Sequence, residues 1–304
     1  MLSAVFQILP LILIFLVGYG LKRARFLSSD DGSTLLKLIF YAGLPALIFT
    51  SILKVEMTAE VLLLCLLTPV IVGISLLALF FVRRSMLHAL SGKTFGSLLA
   101  GVVIMNTGFL VPFVERVYGA EGLARLVVID AVNVLITFSL VYAIVVSLGS
   151  KKPSASFIAR KLLISPPLWA IVLALICKFA DITPPFLIVE ALSNISRLVG
   201  PVILIALGLK FTLHIHNTRL LPVPLVLRFV LGGIIGYAFV KLTGLQGLDA
   251  QIAMFASIAP IGFNSITFAE LEKLDVEFAA SQVSLALLMA LVAAPFIVHF
   301  LPGL

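Results

Sequence analysis

Apolar stretches too long for a soluble fold recur along the whole chain. Read between charged residues, they form ten runs: 5–21, 35–53, 59–82, 95–118, 123–148, 166–180, 186–213, 220–242, 248–271 and 278–301. A bilayer core of about 30 Å takes roughly 20 helical residues to cross. Most of these runs are long enough, and the sixth is the shortest. Ser165 followed by Pro166 and Pro167 still marks a helix start there, because proline in a first turn sacrifices no hydrogen bond. Only 12% of the residues are charged and 62% are hydrophobic, whereas soluble domains carry about a quarter charged residues. The expected fold class is an all-α polytopic membrane protein with ten transmembrane helices, with no room for a large soluble domain.

The net charge of +7 does not point to nucleic acid, since the basic residues sit at run ends and form no stripe. Their distribution instead orients the chain. With both termini outside, thirteen Lys and Arg fall in inner loops and five in outer loops. The expected location is the inner (plasma) membrane, multi-pass, and the first run is expected to stay as a helix rather than be cleaved. Cys65 and Cys177 lie inside apolar runs and read as small hydrophobes. His88, His214, His216 and His299 show no metal spacing beyond His214-x-His216 at a helix end, so no metal site is expected.

A polar stretch, Gly149 to Lys161, divides the runs five and five. The expected division is a first repeat at 1–150, a cytoplasmic linker at 151–165 and a second repeat at 166–304. Five spans per half is odd, so the second half enters from the opposite side, which makes any repeat an inverted one. Gly43-Leu-Pro45 in run 2 pairs with Gly200-Pro201 in run 7, the prolines 156 positions apart. Gly108-Phe109 in run 4 pairs with Gly262-Phe263 in run 9, 154 positions apart.

Runs 4 and 9 carry the chemistry. Run 4 contains Asn106, Thr107, Gly108 and Pro112 near its centre, and run 9 contains Pro260, Gly262, Asn264 and Ser265. Hydrocarbon cannot hydrogen-bond a freed backbone group, so an unwound stretch at that depth must line a cavity or be buried in protein. Broken helices in corresponding places of two repeats are the pattern of a transporter substrate site. Their amino-terminal half-helix ends would seat a carboxylate. These eight residues are the expected substrate-binding set.

At these positions the sequence resembles the auxin efflux carrier family, in particular its bacterial members. The resemblance rests on Asn106-Thr107-Gly108-Phe109 with Pro112, on Val117-Tyr118-Gly119-Ala-Glu-Gly122, on Asp130-Ala-Val-Asn133 and on Gly43-Leu-Pro45. It implies two inverted five-helix repeats, as in bile-acid symporters and sodium/proton antiporters. Spans 1, 2, 6 and 7 would form a scaffold, often dimeric, so a homodimer through those helices is one expected assembly. Spans 3–5 and 8–10 would move as an elevator, with 4 and 9 crossing at the substrate. The cargo it implies is a small organic anion, auxin-like or malate- and malonate-like.

Asp130, with Asn133 beside it, is the ion-coupling candidate, for H⁺ or for Na⁺ through oxygen ligands. The competing role is a structural hydrogen bond to broken backbone or an ion pair with Arg125 or Arg116. Arg197 fits either an anion contact or a tie between scaffold helices. Lys37 and Arg228 sit near run ends and are expected to snorkel. Glu270, Glu272, Lys273, Asp275 and Glu277 read as a solvated loop. No phosphate loop, nucleophile–base pair or zinc motif is present, so no enzyme activity and no cofactor is expected. The expected partners are the organic anion and the lipid bilayer. An Na⁺-coupled symporter of larger organic acids and a non-transporting ligand sensor are the alternatives.

Overall fold

The computed structural model describes residues 2–85, 88, 90–148, 163–212, 215 and 217–300. Most of the expected 151–165 linker and the His214-x-His216 pair lie outside the described residues. The described chain is helical: α1 Leu2–Arg23, α2 Ser29–Lys54, α3 Ala59–Ser85, α4 Gly92–Val103, α5 Thr107–Leu148, α6 Pro166–Phe179, α7 Phe186–Lys210, α8 Pro222–Thr243, α9 Gly247–Ser257, α10 Asn264–Leu271 and α11 Val276–Phe300.

Local sequence explains where these helices begin and end. Ser28 and Asp31 form a capping box ahead of α2, each side chain bonding the other's backbone N–H. The Thr58 and Ser91 hydroxyls accept from Val61 and Thr94 to start α3 and α4. Ser165 occupies the cap position of α6 as expected, but its hydroxyl makes no capping bond. Gly119, at φ 64° and ψ −159°, divides α5 into arms 107–118 and 120–148. Only glycine enters that region without strain. In α7, Pro201 has no N–H for the Arg197 carbonyl, and the helix is interrupted at Leu198.

Among the described residues, seven helices are long and apolar enough to cross a membrane: Phe6–Arg23, α2, α3, α5, α7, α8 and Val276–His299. Three expected runs differ from a simple span. Run 6 is the 14-residue α6, and runs 4 and 9 are each split. Large apolar side chains face outward, among them Phe6 and Leu13 on α1, Trp169 and Phe179 on α6, and Ile234 on α8. A water-facing surface of that kind would be prohibitively costly, and a bilayer accepts it. The chain is a multi-pass membrane protein.

Helix α1 packs along α7, and α2 packs against α6 and α7. On the other side α4 packs on α10, α11 and the second arm of α5, while α9 packs on α5 and α8. Three π-helical segments interrupt the described helices: Ile39–Gly43 in α2, Thr137–Val141 in α5 and Val226–Leu231 in α8. All three border the site described next, which fits the tendency of π segments to occur at functional positions.

Candidate functional site: two broken helices that cross

Helix α4 stops at Val103 and α5 starts at Thr107; α9 stops at Ser257 and α10 starts at Asn264. Both interruptions are true breaks rather than kinks. The unwound stretches run antiparallel and bond to each other. The Asn106 N–H donates to the Pro260 carbonyl at 2.9 Å, and the Gly262 N–H donates to the Ile104 carbonyl at 2.9 Å. The residues bridged are Met105 and Ile261, 156 positions apart, the same offset as Pro45 and Pro201. Glycine is needed at 262, since a Cβ there would stand 2.7 Å from Ile104 Cγ2 and 3.2 Å from the Met105 carbonyl.

The crossing brings four helix ends together. Two are carboxyl ends, each with about half a negative charge, and two are amino ends with about half a positive charge. Arg228, 1% exposed, lies against the carboxyl ends. Its Nε donates to Ala259 O at 2.8 Å, one Nη to Ser257 O at 2.6 Å and the other to Val102 O at 3.4 Å. One guanidinium thus offsets the partial charge of both ends and satisfies carbonyls that hydrocarbon cannot. Helix α8 comes this close because Gly232 and Gly236, one and two turns after Arg228, leave its backbone bare against Ser257. The expected snorkelling of Arg228 is therefore incorrect. Its stem runs inward because the charge is matched at the crossing, not at the interface.

At the amino ends, Asn106 caps α5, its Oδ1 accepting from the Phe109 N–H at 3.1 Å. The Thr107 hydroxyl bonds Asp130 Oδ1. Asn133 Nδ2 donates to Met105 O, Thr107 Oγ1 and Asp130 Oδ1 at 3.3–3.4 Å. Asp130 makes no ion pair with Arg125, which instead pairs with Asp249 of α9 at 2.8 Å. The Asn106 Nδ2 is buried and has no hydrogen-bond partner among the described residues.

A cavity of about 920 Å³ lies over these amino ends. Of the expected substrate-binding set, Asn106, Thr107, Gly108, Gly262 and Asn264 line it, as do Asp130 and Asn133. Pro112, Pro260 and Ser265 do not. Pro112 is buried in van der Waals reach of Gly200, Pro260 supplies a bridge carbonyl, and the Ser265 hydroxyl donates to Gly262 O at 2.7 Å. They shape the break from behind. The walls come from α2 and α7, through Phe40, Tyr41, Leu44, Ile203 and Leu207, and Lys37, Lys210 and Glu270 stand among the lining residues.

Sequence reasoning missed Arg228 and Ser165; the Ser165 hydroxyl is buried without a partner among the described residues, and the residue lines the cavity. The acidic cluster is also not all solvated. Glu272 is buried and accepts from Tyr142 Oη at 2.7 Å, and Asp275 accepts from the Thr94 hydroxyl and caps α11 at Phe278. A run of charges gives no sign of a partner 130 positions away.

The chain is similar to known proteins along nearly its whole length. The chain is 27% identical over 296 residues to a protein of Methanothermobacter thermautotrophicus described as an uncharacterized transporter, with 95% of each chain covered. Residues 3–298 match the family model described as membrane transport protein, nearly the whole length. The chain therefore belongs to the membrane transport protein family, the auxin efflux carrier-like family, and is a membrane transporter.

Proposed function

We propose that this transporter carries a small organic anion, a mono- or dicarboxylate, by elevator-type alternating access. The observation that carries the reading is the floor of the cavity. Two half-helix amino ends meet there beside the unpartnered Asn106 amide, and both attract an anionic oxygen. In this reading α1, α2, α6 and α7 are the scaffold, and α3–α5 with α8–α11 move as the transport unit. On the same reading both termini are outside and the Lys37 and Lys210 end of the cavity opens to the cytoplasm, which the excess of Lys and Arg in the inner loops supports. A volume near 920 Å³ with aromatic and aliphatic walls also favours an acid with an apolar body, larger than malate, as a second reading of the cargo.

The test is uptake of radiolabelled malonate and indole-3-acetate by purified protein in liposomes. Wild type is expected to take up at least one of them, with Asn106→Ala and Asn264→Ala abolishing it. Wild-type vesicles that take up no carboxylate, or full uptake by both variants, would overturn the assignment.

A further inference from the structure

The orientation of Asn133 decides what else the site binds. Its amide faces the Met105 carbonyl and Asp130 Oδ1, both acceptors at this distance, together with Thr107 Oγ1. On its other side Asn133 Oδ1 accepts from the Thr137 hydroxyl at 3.5 Å, which leaves Nδ2 as the atom that points inward. The point where these oxygens converge is thus filled by an NH₂ group. A sodium ion needs that place for itself, and needs the oxygens as ligands rather than as hydrogen-bond acceptors. The bonds from Thr107 and Asn133 both fall on Oδ1 of Asp130, and no described residue bonds Oδ2.

From this arrangement, and resting on the anion-carrier reading above, we infer that Asp130 Oδ2 is a proton-binding site and that H⁺, not Na⁺, travels with the anion. The charge balance gives the coupling its sign. The two amino ends together present about one positive charge, and ionised Asp130 cancels it. A proton from solvent bound at Oδ2 frees that charge for the substrate carboxylate. The other titratable groups lining the cavity are Asp30, Lys37 and Tyr41 of α2, Lys210 of α7 and Glu270 of α10. Arg228 is held on the carboxyl ends of α4 and α9 and is committed to three carbonyls. Asp130 alone among these groups bonds the start of α5.

Ionised Asp130 near the substrate carboxylate should weaken binding on the order of 10–100-fold. By reciprocity, bound anion holds the proton more tightly. The experiment measures binding of indole-3-acetate to detergent-purified protein from pH 5.5 to 8.5, in Na⁺ and then in K⁺. Wild-type affinity is expected to fall 10–100-fold as pH rises and to be the same in both cations. Asp130→Asn should bind equally across the range, near the wild-type low-pH affinity. Infrared difference spectra should show a carboxylic-acid C=O band in wild type at pH 5.5 that is missing from the variant. Affinity that is flat with pH, that requires Na⁺, or that keeps its pH dependence in Asp130→Asn overturns the inference. A wild type that binds neither this acid nor malonate at any pH, yet shows the infrared band, overturns the carrier reading and leaves the proton site standing.

Discussion

Arg228→Met keeps an unbranched side chain on α8 but removes every donor at the carboxyl ends. Three carbonyls, of Val102, Ser257 and Ala259, then lose a partner in dehydrated surroundings. The bonds at 2.6 and 2.8 Å involve a charged donor and contribute about 1.5–3 kcal/mol each, while the 3.4 Å contact adds little. Relief from burying a guanidinium offsets part of this. It does not cancel it, because the carbonyls belong to backbone and cannot be replaced along with the arginine. The net loss is about 3–5 kcal/mol, which lowers the unfolding midpoint by roughly 6–15 °C for a chain of this size. A thiol-reactive dye reporting exposure of Cys65 and Cys177 on heating follows it in detergent. Arg228→Lys, which keeps the charge but loses the fork, should fall between the two. If Arg228→Met unfolds within about 2 °C of wild type, the guanidinium does not hold the crossing together and the electrostatic argument fails.

Gly119→Ala places a side chain where φ is 64° and ψ is −159°, and should cost about 1–3 kcal/mol in the same melt. An unchanged midpoint would mean that the chain turns there some other way. Arg125→Asp and Asp249→Arg should each lower stability by about 1 kcal/mol, because the pair is only partly buried, and the double exchange should recover part of the loss. Additive losses in the double variant would show that the pair does not interact.

The breaks were legible because glycine, proline and asparagine in the middle of an apolar run have few other uses. Asn106 and Gly262 stand where the residue pattern put them. What the pattern could not separate was front from back. Pro112, Pro260 and Ser265 carry the same signal as their neighbours yet face away from the cavity, since which residue faces it depends on how two unwound strands pair. Arg228 was illegible for a related reason. Its partners are carbonyls, which have no side-chain signature, and its place near a run's end made the membrane interface the simpler destination. Glu272 likewise reads as one charge among several until Tyr142 is folded against it.

The bridge between Met105 and Ile261 has a mechanical consequence. Separating the two unwound stretches would strip partners from two N–H and two carbonyl groups of a largely buried bridge, at about 1–3 kcal/mol for each group left bare and dry. Thermal motion seldom meets such a demand, so the strands behave as one welded joint, and α4, α5, α9 and α10 share a common displacement. On the proposed elevator reading, a cargo resting on that joint would keep its seat while its surroundings slide, and the freedom to expose it to either side of the membrane would lie along the faces of α2 and α7.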